Sequence, residues 1–266
     1  MTALTPELAS ALRDRLRYYR DLGVYDLYRR SAPDPRFAIE TSPVTHSELE
    51  PDIPRKAATV LPEISAASAL IPPEQRAAAL EAIRAELVEC NRCPLATQGR
   101  HTIVFGDGDP NARLMFVGEG PGADEDAQGL PFVGRAGKLL NNMIAAMGLQ
   151  RSEVYIANVV KCRPPGNRTP EPAEANTCMP FLWRQIDVIR PEVIVALGST
   201  AATYLLGRKA SLASLRGRIH GVRGCKLIVT YHPAYLLRDP RQKGEAWKDL
   251  QIAMKELGLK PAKPAR

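Results

Sequence analysis

Four of the chain's five cysteines stand where soft metal ligands would. Cys90 and Cys93 form a C-x2-C pair in "CNRC", and Cys162 and Cys178 follow with fifteen residues between them. Four thiolates close a tetrahedral zinc site or hold an iron–sulfur cluster. Spacing leaves zinc and iron–sulfur both open, because the second pair is not C-x2-C, and ordinary buried thiols remain a third reading. A metal held by all four would tie the 90–93 turn to the 162–178 stretch, which is a structural role. Cys225, in "RGCKLIV", has no partner at ligand spacing and reads as a structural thiol.

A second group of residues suits anion and base chemistry. "FVGEGPGADEDAQGLPFVGRAGKLL" reads as strand, glycine loop and helix, an arrangement whose backbone N–H groups often cradle phosphate. It is neither a Walker loop, since no G-K-[ST] follows, nor G-x-G-x-x-G. The run Asp124, Glu125, Asp126 offers carboxylates, "GST" places Ser199 and Thr200 at a helix start, and His232 opens "HPAYLL".

These groups need a frame, and the hydrophobic pattern supplies one. Apolar runs of strand length occur in "ARLMFVG", "EVYIANVV", "EVIVALG" and "KLIVTYH". Helical stretches alternate with them: "GKLLNNMIAAMG", "PAEANTCMPFLWRQIDVIR", "STAATYLLG" and "GEAWKDLQIAMKEL". Near-continuous apolar strands between helices predict an α/β fold, a three-layer α/β/α sandwich around a mostly parallel four-stranded sheet. In such sheets working residues gather beyond the carboxyl ends of the strands. All the singled-out loops follow a strand.

The chain has 266 residues, 45% hydrophobic, with a formal net charge of +7. The charge mildly favours an anionic partner such as nucleic acid. No apolar run suits a membrane span or a secretory leader, so the expected setting is the cytoplasm, with thiols reduced. Residues 1–30 predict an N-terminal helical extension with Thr5 as cap, Pro6 at the first helical position and Leu8, Leu12, Leu16 and Tyr19 on one face. Residues 31–75 hold eight of the 23 prolines and read as a linker. A helix in "PPEQRAAALEAIRAELVEC" is predicted to end at the first cysteine, residues 76–258 form the working domain, and 259–266 are a basic tail.

Taken together, "GEGPGADEDAQGLPFVGRAGKLL", "NVVKCRPPGNRTP", "ALGSTAA" and "YHPAYLLR" closely resemble the family 4 uracil-DNA glycosylases, in the family's order and over roughly residues 76–258. The resemblance implies a DNA-repair hydrolase that flips uracil out of DNA, breaks its N-glycosidic bond and leaves an abasic site. It implies a structural 4Fe-4S cluster on Cys90, Cys93, Cys162 and Cys178, with zinc as the alternative. Asn158 matches the uracil-reading residue. A carboxamide can donate to uracil O4 and accept from N3–H, a pattern that cytosine reverses. Phe132 matches the aromatic that stacks on the base, and Gly120 and Pro121 belong to the same substrate wall. His232 matches the group that hydrogen-bonds O2 and stabilises the leaving uracil anion as an oxyanion hole would.

The water activator is less defined. Family 1 relatives carry Asp where this chain has Gly120, so Glu119 is the carboxylate candidate, with Asp124, Glu125, Asp126 and Asn167 as further ways to position water. DNA contacts are expected from Ser199 and Thr200 at the helix start and from Leu237 and Arg238. Arg163 and Arg168 are possible cationic helpers, and Tyr235, Leu236 and Leu237 are either a duplex wedge or core packing. A covalent subgroup of the superfamily carries a His in a basic insert after the second strand. "KCRPPGNRTP" has neither, which predicts a turning-over, monofunctional enzyme and a monomer. Two other functions suit parts of the pattern. One is a nucleotide hydrolase using "ADED" for a divalent metal; the other is a non-catalytic DNA-binding module of a polymerase assembly, its N-terminal helix bound to a protein partner.

Overall fold

The computed structural model describes residues 71–260. The helix expected within residues 1–30, the linker up to residue 70 and positions 261–266 of the tail lie outside the described residues. In chain order the elements are α1 (Arg76–Ala85), β1 (Asp107–Gly108), β2 (Leu114–Gly118), α2 (Ala123–Gln128), α3 (Arg135–Ala146), β3 (Tyr155–Asn158), α4 (Pro172–Ile189), β4 (Val193–Leu197), α5 (Ser199–Leu206), α6 (Leu212–Leu215), β5 (Ile219–Val222), β6 (Cys225–Thr230), α7 (Pro233–Arg238) and α8 (Lys243–Leu257).

The sheet has six strands in the order β1-β3-β2-β4-β6-β5. The four apolar runs are its centre, β3-β2-β4-β6, all parallel. Two short antiparallel strands, β1 and β5, flank them and correct the four-strand expectation. Neither shows a buried pattern, β1 being half-buried and β5 alternating exposed and half-buried residues, so no apolar run marks them. Arg223 and Gly224, both at positive φ (46° and 80°), make the tight turn that folds β5 back on β6.

Strand side chains alternate between the two faces. On one face Met115 and Val117 of β2 join Leu80 and Ile83 of α1, Leu182 and Ile186 of α4, and Ala201 and Leu205 of α5. On the other, Leu114 and Phe116 pack with Leu140 and Ile144 of α3 and Leu250 and Met254 of α8. Each fully buried Leu, Ile, Val, Phe or Met contributes about 1.5–3 kcal/mol, so the inner strands cannot shift register cheaply. Ile71 also packs against this core, and its carbonyl accepts from Arg76 Nε at 3.4 Å.

α1 stops at Ala85 rather than at the first cysteine. The chain beyond tightens into turns, with Leu87 N bonded to Arg84 O at 2.9 Å and Cys90 N to Leu87 O at 3.0 Å. Leu87 is thereby buried while Val88 is left exposed. Among the described residues no helix is long and apolar enough to cross a membrane.

Candidate active site

Register sets the site. Gly118 at the end of β2 pairs with Asn158 at the end of β3, and Leu197 of β4 pairs with Thr230 of β6. The carboxyl ends of all four parallel strands therefore form one edge. A cavity of about 460 Å³ opens there, of the size small ligands occupy. Glu119, Gly120, Pro121 and Phe132 enter it from the chain after β2; Asn158 and Asn167 enter from β3 and its loop; His232 and Arg238 come from the β6–α7 segment.

Asn158 is 1% exposed, and its Oδ1 is, among the described residues, the only buried side-chain nitrogen or oxygen without a hydrogen-bond partner. An unmade buried hydrogen bond costs about 1–3 kcal/mol. A ligand donor can recover that energy. The residue's backbone is fixed from below: Lys161 Nζ donates to the Asn158 carbonyl at 2.9 Å and to Gln185 Oε1 at 2.6 Å. Gln185 Nε2 continues to Phe105 O at 3.0 Å and to the Tyr155 hydroxyl at 3.2 Å. Burial pulls the Lys161 ammonium down to about 8, and the neighbouring Cys178 pushes the other way.

Phe132 is 5% exposed and has a positive φ of 52°. Its ring stands 5.6 Å from that of His232, tilted by 35°. His232 is the N-cap of α7, Pro233 occupies the first helical position, and His232 Nδ1 accepts from Ala234 N at 3.1 Å. With Nδ1 an acceptor, the neutral ring carries its proton on Nε2. Burial pulls His232 down to about 4, the nearby Arg238 charge adds to this, and Glu125 opposes it. The ring is therefore a neutral donor at physiological pH.

The other sequence-predicted residues divide. At Gly120 a Cβ would lie 2.7 Å from Val160 Cγ2, so the backbone there has no room for a carboxylate. Ser199 and Thr200 begin α5 outside the cavity. Their neighbour Gly198 packs 3.2 Å from His232 Cβ, measured from where its own Cβ would be, which sets the helix start beside the His232 turn. Leu237 is 42% exposed, whereas Leu236 is 1% exposed and belongs to the core, which corrects its reading as part of a wedge. Tyr235 stacks on Tyr231 at 5.1 Å.

The acidic run is engaged elsewhere. Glu125 accepts from Gly122 N at 3.1 Å, Val133 N at 2.9 Å and Gly134 N at 3.0 Å, so both its oxygens brace the glycine loop rather than orient water. Asp126 is fully buried and accepts from His101 N at 2.9 Å, Thr102 N at 3.1 Å and the His101 ring at 2.7 Å. Burial alone would raise its pKa; these bonds outweigh that and hold it low. This removes the basis for a divalent metal on "ADED". Asn167 Oδ1 accepts from Arg163 Nε at 2.8 Å, leaving only its NH2 for water. Arg168 forks onto the buried Glu174 at 2.6 and 2.8 Å, so it is a structural cation and not a phosphate helper. Arg238 lies exposed at the cavity rim.

All five cysteines are free thiols. Cys162 is buried in the core that Cys90, Cys93 and Cys178 pack against. Burial raises the Cys162 thiol, and the charges of Cys93 and Cys90 raise it further. Burial likewise pushes Cys178 up to about 11, with Cys162 and Cys93 adding to the shift. The four sulfurs are thus electrostatic neighbours that resist ionising together, a cost that a bound metal cation offsets. Donors already face them: Arg100 Nη1 to Cys162 Sγ at 3.1 Å, Lys161 N to Cys178 Sγ at 3.3 Å and Arg92 Nη1 to Cys90 Sγ at 3.4 Å. Hydrogen bonds to ligating sulfur are the usual support of iron–sulfur centres. Among the described residues no three His, Cys, Asp or Glu side chains are gathered at single-ion distance. The donor set is all-sulfur and fits a polynuclear cluster better than a lone zinc ion, whose ligands sit at about 2.3 Å.

Residues 105–251 match the family model described as Uracil DNA glycosylase superfamily. The chain is 49% identical over 162 residues to the type-4 uracil-DNA glycosylase of Thermotoga maritima, spanning 60% of this chain and 84% of that protein. It is 44% identical over 191 residues to the one of Sulfurisphaera tokodaii, spanning 68% and 86%. It is 45% identical over 177 residues to the one of Pyrobaculum aerophilum, spanning 63% and 89%.

Proposed function

Because the chain belongs to the uracil-DNA glycosylase superfamily, among its type-4 members, and excises uracil from DNA, we propose that the cavity at the strand ends is the pocket for the flipped base. The observation that carries this reading is the unpartnered Asn158 Oδ1. Uracil brings an N3–H donor for that oxygen, and its O4 accepts from the other half of the same amide. Cytosine offers an acceptor at N3 and a donor at its exocyclic amine, so it would meet both halves of the amide in the wrong sense.

Phe132 offers its ring as the stacking surface, which holds any base and leaves discrimination to Asn158. Gly120 and Pro121 close the wall beside it. As the glycosidic bond breaks, charge gathers on uracil O2. The neutral His232, its proton on Nε2 because Nδ1 caps α7, donates to that oxygen. Water then captures the sugar cation, and Glu119 is the carboxylate lining the cavity that is free to orient it. Asn167 contributes at most its NH2. Ser199 and Thr200 bind DNA phosphate through the α5 start, Arg238 adds charge at the rim, and Leu237 fills the gap left in the duplex.

Cys90, Cys93, Cys162 and Cys178 hold a 4Fe-4S cluster, whose contribution is to tie the chain around 90–93 to the segment just after Asn158. The enzyme is monofunctional and monomeric and works in the cytoplasm, on the nucleoid when bound to DNA. The test is a uracil-containing oligonucleotide incubated with the full chain in EDTA and then treated with alkali. A break at the uracil position is expected without added divalent metal, and no SDS-stable protein–DNA adduct. An intact strand, or activity only with magnesium, overturns the proposal.

A further inference from the structure

We infer that Arg151, which lies outside the cavity, is a positioning residue for base stacking that acts through the backbone of Phe132. The inference rests on the reading of Phe132 as the stacking surface.

Phe132 has φ of 52°, the left-handed region that bulky side chains avoid. Such a conformation persists only where surrounding contacts impose it. Two charged side chains do so from opposite directions. Arg151, in the turn before β3, donates from Nη2 to Pro131 O at 2.5 Å and from Nη1 to Phe132 O at 3.2 Å. Glu125 accepts from the next two amides, Val133 N and Gly134 N. Four consecutive residues around the strained one are thus gripped, carbonyls by a guanidinium and amides by a carboxylate.

The guanidinium is itself fixed. Its Nη1 also reaches Asn141 Oδ1 on α3 at 3.1 Å, and its Nη2 pairs with Asp107 on β1 at 3.5 Å. The Phe132 carbonyl lies hard against Gly137, where any Cβ would collide with it. These contacts leave the peptide one orientation, the one that turns the Phe132 ring inward over Gly118 and toward His232. Without the Arg151 fork, the strained φ has no reason to persist, and relaxation to an extended conformation swings the ring off the pocket.

A planar fork suits two adjacent carbonyls in a way that a lysine ammonium does not. The experiment is a double-mutant cycle of R151A and F132A, read as kcat/KM on a uracil-containing oligonucleotide with melting temperatures measured in parallel. R151A should lower kcat/KM at least tenfold in the wild-type background and less than twofold in the F132A background, with R151K between R151A and wild type. Equal losses in both backgrounds, or full activity of R151A, overturn the inference. If R151A does not fold, R151K carries the same cycle with the same criteria. F132A alone distinguishes the two readings: if it leaves kcat/KM unchanged, the stacking role fails and this inference fails with it; if it lowers kcat/KM and the cycle is additive, only this inference fails.

Discussion

Asn158 and Phe132 meet over the bare Cα of Gly118. A Cβ at Gly118 would collide with Asn158 Oδ1 and stand 2.6 Å from Phe132 Cζ. The residue that reads the base and the residue that stacks on it therefore share one space, and glycine at the end of β2 keeps it open. G118A should lower kcat/KM for uracil excision at least 100-fold, about 2.7 kcal/mol of lost transition-state stabilisation. Single-turnover kinetics with a melting curve checks this. Wild-type activity in a folded G118A protein would show that the two side chains do not need their present positions.

His232 sets the pH behaviour. Its folded pKa is lowered to about 4, from an ordinary 6.5. The ring stays neutral through the physiological range, so its contribution to the excision rate should be flat from pH 8 to 5 and fall as pH drops through about 4. Protonation fills Nδ1 and removes the cap on Ala234 N. The stability sign follows from linkage. The unfolded chain takes up a proton below 6.5 and the folded one does not until about 4, so folding stability falls across that window as pH drops. H232A should lose about 100- to 1,000-fold in kcat, the range for removing one donor to a developing oxyanion. Parallel pH–rate profiles of wild type and H232A check both statements, and identical profiles would contradict them.

Glu119 and Glu125 both line the cavity but do different work. Glu125 holds three backbone amides. E125Q puts an amide N–H toward backbone N–H groups and should destabilise the fold by about 1–3 kcal/mol, visible as a lowered melting temperature. E119Q should leave the melting temperature unchanged and lower kcat about tenfold or more, as loss of a positioned base does. An E119Q enzyme with wild-type kcat would remove Glu119 from the water step.

Much of this was legible in the chain and some was not. The apolar runs gave the four parallel strands, and their ends placed Asn158 and His232 where chemistry belongs. β1 and β5 carry no apolar run, so pairing at the sheet edges left no local signal. The site's support was hidden for a related reason. Arg151 lies twenty residues from Pro131, and Lys161 lies 24 from Gln185. Neither has a spacing rule, because only the tertiary fold brings each to its partner. The acidic run misled because carboxylates that hold loop amides have the same local sequence as those that hold water or metal.

The cysteine set predicts composition and stability together. The purified protein should be brown and contain about four iron and four sulfide per chain, as a 4Fe-4S centre requires. C90A should lose iron and lower the melting temperature before any separate defect in chemistry. One zinc per chain, or a C90A protein of full stability that lacks only activity, would contradict the structural cluster.

The central claim is that uracil is read by Asn158 Oδ1, and a crystal structure of the protein with bound uracil tests it most directly. The account predicts uracil N3 at about 2.7–3.2 Å from Asn158 Oδ1, with the ring over Phe132 and O2 facing His232 Nε2. Uracil seated in the cavity with N3 paired to another group, and Asn158 Oδ1 still without a donor, would contradict it.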